Sequence, residues 1–211
     1  MPDRRIRLQR DVVLPRMVTK RDFSLCVIAI EGEKTEKQYF QKFGGKKVKV
    51  DILPTRVGHS SEPEGVMERL RKYKQENDLQ EEDRCWLVFD VDDRDSERLK
   101  TVCAQAKDER FTAVISNPCF EFWLFLHKFD ASELDQSIQQ VASEKRSQEM
   151  KQILKYNYHS LPYKQFREDV ERAVQQAKSM ERSRRSPVPK FPGTDVYKIV
   201  ESLPLKAYDE L

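Results

Sequence analysis

A chain of 211 residues is long enough to bury a sizeable core, as one domain or as one domain with a helical appendage. Charged residues make up 36% of the chain, but eleven Phe, seven Tyr and two Trp residues exclude a disordered polypeptide. The formal net charge of +3 is too small to indicate a class of partner for the chain as a whole.

Four short apolar runs alternate with helical patterns over the first 129 residues. The first strand is predicted at Phe23–Ile30, because this run is apolar and a glycine follows closely. Ser61-Glu62-Pro63-Glu64 has the pattern of a capping box, so a helix is predicted from about Glu62 to Gln75. The other elements predicted here are a helix at Thr35–Phe43, an edge-like strand at Lys47–Leu53, a strand at Cys85–Phe89, a helix at Ser96–Lys107, a strand at Phe111–Ile115 and a helix from Asn117-Pro118 to about Phe129.

After residue 130 the pattern becomes helical. Helices are predicted at Leu134–Val141, in a stretch through Met150–Tyr158, at Tyr163–Met180 and at Asp195–Leu203. The earlier alternation predicts an α/β fold with a mostly parallel sheet flanked by helices. We therefore expect a basic N-terminal arm at residues 1–21, a core at residues 22–130 and a helical, basic C-terminal region at residues 131–211 packed on that core.

Charge is distributed unevenly along the chain. Residues 1–21 carry seven Lys and Arg against two acids, and residues 144–190 carry twelve against six. Residues 76–97 carry ten acids against two Arg. This distribution fits an acidic metal site flanked by a polyanion-binding surface, and it also fits solvated helix faces with a loose basic tail.

The four cysteines are widely spaced and form no CxxC pair, so neither a zinc site nor a disulfide framework is indicated. No apolar stretch approaches eighteen residues, and the start of the chain has no signal-peptide pattern. We therefore expect a cytoplasmic protein without a membrane association.

Two acidic clusters each follow an apolar, β-rich run. Glu31-Gly32-Glu33-Lys34-Thr35-Glu36 comes directly after Leu25–Ile30, and Asp90-Val91-Asp92-Asp93 comes directly after Trp86–Phe89. The carboxyl ends of the strands are the edge where ligands bind in open α/β sheets. Magnesium prefers oxygen ligands from one or two carboxylates, completed by phosphates and water. The pattern predicts a divalent-cation site and phosphate-ester chemistry.

The candidate ligands differ in how well a structural role explains them. Glu36 also suits the first turn of a helix, where the dipole favours acids, whereas a cap explains Glu31 poorly. Asp90 and Asp92 alternate along an extended segment, so both carboxylates are predicted to point into one crevice. Clustered carboxylates repel one another, and a divalent cation relieves that cost.

A third group of residues lies in the segment Ser116–His127. Glu121 stands among aromatic and aliphatic neighbours, so its carboxylate needs a partner, a metal or a proton, and a salt bridge to an Arg is the structural alternative. His127 lies near the predicted helix C-terminus, where the dipole favours a cation. The chain contains no G-x-x-x-x-G-K-[ST], GxGxxG or GxSxG motif, which argues against ATP hydrolysis and against a serine nucleophile.

Read together, three segments resemble the RloB family of bacterial proteins. They are Glu31–Glu36 with Tyr39-Phe40, then Val88–Asp93, then Ser116–His127. Thr194–Glu201 also resembles the closing segment of the family, so the resemblance covers about residues 23–200. Family members are similar to TOPRIM domains, the metal-dependent fold of topoisomerases, primases and overcoming-lysogenization-defect nucleases. The family usually has a basic residue where this chain has Val91, a position that is not a ligand.

The resemblance implies a TOPRIM-like fold with a four-stranded parallel sheet, a metal-binding Glu31 and a metal-binding Asp90 and Asp92. Glu33, Glu36 or Asp93 could complete a second position. It also implies an RloA-like ATPase partner and a role in defence against phage. A homo-oligomer is compatible with the sequence.

Three functions follow as hypotheses. The first is a Mg²⁺- or Mn²⁺-dependent nuclease acting on DNA or RNA, with Glu31, Asp90 and Asp92 holding the metal and with Glu121 or His127 transferring protons. Its phosphate contacts are predicted at six basic residues: Lys155, Lys164, Arg167, Arg182, Arg184 and Arg185. The second is a non-catalytic module that binds nucleic acid or docks an ATPase. In that case Phe122, Trp123 and Phe125 would form an interface, whereas they would otherwise belong to the hydrophobic core. The third is another phosphoryl transfer, such as primase-like nucleotide addition.

Overall fold

The computed structural model describes residues 21–55, 62–92, 94–134, 138, 140–141, 143–154, 157–181 and 185–206. Nearly all of the predicted arm, as well as Asp93, lies outside these residues. Within them the strands are β1 (Ser24–Ile30), β2 (Val48–Leu53), β3 (Arg84–Asp90), β4 (Thr112–Asn117) and β5 (Gly193–Thr194). The helices are α1 (Thr35–Phe40), α2 (Pro63–Glu76), α3 (Ser96–Asp108), α4 (Phe120–Phe125), α5 (Ser143–Ile153), α6 (Tyr163–Glu181) and α7 (Tyr197–Val200).

In the described part of the chain the sheet has the strand order β2-β1-β3-β4-β5, and β2, β1, β3 and β4 run parallel. The prediction of an α/β fold with a mostly parallel sheet and an edge strand near residue 50 is confirmed. The expectation of four strands differs from the structure, because β5 adds a short antiparallel edge to β4. A strand of two residues is too short to show a periodic pattern in the sequence.

Side chains of the central strands alternate between two hydrophobic cores. On β1, Ile28 and Ile30 pack into a core shared with α1, α4, α6 and α7, whereas Val27 and Ala29 pack into a core shared with α2 and α3. All four are 0% exposed. Fully burying a large aliphatic side chain contributes about 1.5–3 kcal/mol, so both faces hold the sheet in place. This double burial explains why the strands read as continuous apolar runs.

Several predicted helices have different bounds in the structure. Helix α2 begins at Pro63, one residue after its predicted start, and Ser61, the first residue of the predicted capping box, lies outside the described residues. Helix α4 ends at Phe125, and after Leu126 the amides of His127 and Lys128 bond to carbonyls three residues back in tighter turns. Helix α7 covers only four of the nine residues expected to be helical.

The C-terminal region contributes to both the sheet and the larger core. Helix α6 packs against α4, α7 and β5. The hydroxyl of Tyr158 donates to the carbonyl of Thr35, at the start of α1, over 3.0 Å. The predicted helix at 134–141 lies partly outside the described residues. Among the helices that the structure describes, none combines the length and the apolar character needed to cross a membrane.

Candidate functional site

A cavity of about 490 Å³ opens at the carboxyl end of β1 and β3. Ile30 and Val88 are partners in the ladder, and the amide of Glu31 donates to the carbonyl of Val88 over 3.0 Å. The two neighbouring strands therefore deliver their following residues to one place. Among the described residues, acidic side chains dominate the lining: Glu31, Glu33, Glu36, Asp90, Asp92 and Glu121, together with Lys34 and Lys151.

Glu31 is held by an arginine that the sequence prediction missed. Its Oε1 lies 2.7 Å from Nη2 of Arg94, and its Oε2 accepts the backbone amide of Asp90 at 3.1 Å. Arg94 also donates to the carbonyl of Asp90 at 2.9 Å. The side chains of Arg94 and Glu31 are only 10% and 15% exposed. Burial raises the pKa of Glu31, although Arg94 and the amide of Asp90 oppose that rise.

Asp90 is a buried carboxylate that has no counter-ion in the described part of the chain. Its residue is 9% exposed, and no hydrogen bond or ion pair of its side chain occurs among the residues that the structure describes. Burial raises the pKa of Asp90 well above its usual range, and the charges of Glu31, Asp92, Glu36 and Glu121 raise it further. A carboxylate in such surroundings requires either a proton or a cation.

Asp92 lines the same cavity, but its backbone conformation differs from the extended one that was predicted. The strand ends at Asp90, and Asp92 has a left-handed backbone with φ of 44°, which Asp tolerates better than most residues. Its amide donates to the carbonyl of Pro118 at 3.0 Å, and its carboxylate accepts the hydroxyl of Ser147 from α5. The prediction that both aspartates face one cavity agrees with the structure, but the argument from an extended segment is wrong.

Glu36 and Gly32 form a close pair at the start of α1. Glu36 is 8% exposed, and its Oε1 accepts the amide of Gly32 at 3.1 Å. A Cβ atom at position 32 would overlap the carboxylate of Glu36, so any larger residue there would displace this carboxylate from the amide of Gly32. Burial raises the pKa of Glu36. Glu36 lies in the first turn of α1, as its structural alternative predicted, and it is buried, whereas Glu33 is exposed.

Glu121 and His127, both predicted to transfer protons, are separated by the fold. Glu121 lines the cavity, and the expected salt bridge to an Arg is absent among the described residues. His127 is fully buried, 3.0 Å from the hydroxyl of Tyr39 and 2.9 Å from the carbonyl of Trp123. Burial lowers the pKa of His127 to about 4, so it is neutral in the core and does not reach the cavity. The neighbouring Phe122 and Trp123 are core residues as well.

Of the six predicted phosphate contacts, the three that the structure describes do not line this cavity. Lys164 and Arg167 are on α6, where each faces a glutamate one turn later at 4.0 Å and 3.2 Å. Arg167 instead lines a separate cavity of about 840 Å³ between α6 and the segment after α7. Arg185 is exposed and is not part of the lining of the acidic cavity. The other three predicted contacts, Lys155, Arg182 and Arg184, lie outside the described residues.

Comparison with protein families decides the family of the chain. The family model described as RloB-like protein matches residues 26–203. The chain belongs to the RloB-like family. No curated protein and no solved structure matches it. The matched range of this RloB-like protein includes all six acidic residues of the cavity and Lys151.

The chemistry of the residues that line the acidic cavity suits a hard divalent cation. The acidic residues that line it would offer carboxylate oxygens, which are the ligand atoms that Mg²⁺ and Mn²⁺ prefer. Among them, Asp90 is buried and has no counter-ion within the described residues. Within those residues, no group of three or more His, Cys, Asp or Glu side chains is arranged so that it could hold a metal ion. Glu31 is turned to Arg94, and Asp92 is turned to Ser147. Binding of a cation would require these side chains to exchange partners.

Proposed function

We propose that this RloB-like protein is a metal-dependent nuclease that hydrolyses phosphodiester bonds of DNA or RNA with Mg²⁺ or Mn²⁺. The observation that carries the proposal is Asp90, a buried carboxylate without a counter-ion among the described residues, in a cavity shared with other carboxylates. A structural acid is usually paired, whereas an acid kept unpaired next to other acids suits a cation.

The TOPRIM-like fold is part of the same proposal. It is supported by the parallel neighbours β1 and β3, which place Glu31 and Asp90 side by side at one sheet edge. It is also supported by membership of the RloB-like family, since members of the RloB family are similar to TOPRIM domains. Glu31, Asp90 and Asp92 are the proposed ligands, and Glu36 is the additional carboxylate within the cavity.

The residues of the cavity have distinct proposed roles. A bound divalent cation would activate water and stabilise negative charge on the phosphate. Arg94 orients Glu31 by its contact over 2.7 Å and limits the repulsion between Glu31 and Asp90. Glu121 lines the cavity without an ion pair in the described part of the chain, so it is available to accept a proton from water. His127 has no role in this scheme, because it is buried in the core.

We also propose that the protein acts with an RloA-like ATPase in bacterial defence against phage. Membership of the RloB-like family supports this partner. A non-catalytic docking subunit is the second candidate, and the pairing of Glu31 with Arg94 favours it, because that pairing already neutralises a proposed ligand. The two candidates differ in their response to metal.

Asp90→Asn separates the two candidates, and Asp108→Asn on the exposed end of α3 is the matched control. Mn²⁺ binding is measured by isothermal titration calorimetry, and cleavage of DNA and RNA is measured with Mg²⁺ or Mn²⁺, with and without the ATPase. The nuclease proposal expects binding and cleavage in the wild type and in Asp108→Asn, and loss of both in Asp90→Asn. Indifference of the wild type to Mn²⁺ and absence of cleavage would support the docking subunit.

A further inference from the structure

Lys151 is the basic residue of α5 that faces the acidic cavity. Ser147 and Lys151 are four residues apart on α5, so they share one face of the helix. The hydroxyl of Ser147 donates to Asp92, which turns this face toward the carboxylates. Lys151 lines the cavity together with Asp90 and Glu121.

The ammonium group of Lys151 has no hydrogen bond or ion pair among the residues that the structure describes, although acids surround the cavity. Burial lowers the pKa of Lys151, but the charges of Glu121, Asp90 and Asp92 outweigh it and raise the pKa overall. The group is therefore cationic at neutral pH. Its side chain is exposed at the cavity, so an incoming anion can reach it.

Other cations of the described chain are less suited to an anion in this cavity. Arg94 is occupied by Glu31 and by the carbonyl of Asp90. Lys164 lies on α6 outside the cavity lining and faces a glutamate on its own helix. Lys34 also lines the cavity, but in the described region its side chain makes no contact that directs it toward Asp90 or Asp92. Lys151 is thus the cation that helix geometry directs at the proposed metal ligands.

A phosphodiester that enters a cavity of carboxylates is repelled unless positive charge in the cavity offsets the repulsion. Resting on the proposed nuclease function, we propose that Lys151 binds a non-bridging oxygen of the substrate phosphate within the cavity that it lines with Glu31 and Asp90. In this arrangement the phosphate lies between the metal ligands on the sheet edge and the ammonium on α5. The site then selects a phosphodiester anion rather than a neutral ligand.

The test uses Lys151→Ala and Lys151→Arg, with Lys145→Ala as the matched control, because Lys145 is an exposed lysine of the same helix outside the cavity lining. The probes are short fluorescein-labelled single-stranded DNA and RNA oligonucleotides, with Ca²⁺ replacing Mg²⁺ to slow cleavage. Fluorescence anisotropy gives Kd over a range of salt concentrations. Mn²⁺ affinity is measured in parallel by calorimetry.

Loss of a charged phosphate contact is expected to weaken binding by about tenfold or more in Lys151→Ala. The slope of log K against log salt is expected to fall by about 0.7, the value for one phosphate contact on a single strand. Lys151→Arg should retain the slope, Lys145→Ala should match the wild type, and Mn²⁺ affinity should not fall in Lys151→Ala.

An unchanged Kd and slope in Lys151→Ala, in a protein that still binds Mn²⁺ and cleaves, would overturn the role of Lys151 and leave the nuclease proposal intact. A wild type that binds neither the oligonucleotides nor Mn²⁺ would overturn both proposals. Equal weakening in Lys145→Ala and Lys151→Ala would identify a diffuse basic surface and would also contradict the specific contact.

Discussion

Replacing Arg94 by alanine is predicted to destabilise the protein strongly, because Arg94 forms a buried ion pair with Glu31. Their side chains are 10% and 15% exposed, and the closest atoms are 2.7 Å apart. Removing one partner of a buried pair costs about 3–5 kcal/mol, since the other charge is left uncompensated. Asp90, next to Glu31, has no counter-ion in the described region that could compensate for the loss. For a chain of this size, that cost corresponds to a fall in Tm of roughly 6–20 °C.

Arg98→Ala is the matched control, since Arg98 pairs with Glu64 over 2.7 Å on the surface, where the two side chains are 44% and 47% exposed. Both variants are unfolded in urea and by heat in metal-free buffer and again with Mg²⁺. We expect a small change for Arg98→Ala. We also expect Mg²⁺ to restore part of the stability of Arg94→Ala, because a cation can then accompany Glu31. If Arg94→Ala were as stable as Arg98→Ala without metal, the account of a buried, mutually dependent pair would be refuted.

Two further predictions concern the carboxylates and the glycine of the cavity. Because burial raises the pKa of Asp90 in the folded protein, the folded protein keeps the proton of Asp90 at pH values where the unfolded chain has already lost it. The free energy of unfolding should therefore fall as pH rises above about 4, the ordinary pKa of an Asp side chain. Asp90→Asn should lessen this fall in metal-free urea titrations, and an identical pH dependence in the variant would contradict the burial argument. Gly32→Ala should lower stability by no more than about 1 kcal/mol, because the terminal carboxylate of Glu36 can move away from the added methyl, and it should weaken Mn²⁺ binding in calorimetry, because that carboxylate is displaced within the cavity. Gly45→Ala should change neither quantity, since a Cβ there meets nothing within 4 Å, and equal effects of the two variants would count against the predicted overlap.

The sequence predicted the part of the site that depends on neighbouring strands. Glu31 and Asp90 each follow a buried apolar run, and parallel strands that pair must end at the same edge, so their proximity follows from pattern alone. The turn at Asp92 was not predictable in this way. Its left-handed backbone is accompanied by a hydrogen bond from its amide to the carbonyl of Pro118, which is a contact with another part of the chain.

Residues that reach the cavity through tertiary packing were missed or misplaced. Lys151 lies 61 positions after Asp90, and only the packing of α5 brings it to the sheet edge. Arg94 did leave a signal, as one of only two arginines in the acidic run at residues 76–97. His127 was predicted to be functional from its position near a helix end, but the aromatic core around it determines its burial.

The antiparallel strand β5 has a practical consequence for the choice of fragments for expression. A fragment that stops near residue 130 would leave β4 as a bare sheet edge, which is a template for pairing with other chains. It would also lack Ser147 and Lys151, and with them one wall of the acidic cavity. A minimal fragment for crystallisation or binding experiments should therefore extend through β5 and α7, although the alternating α/β pattern ends some 60 residues earlier.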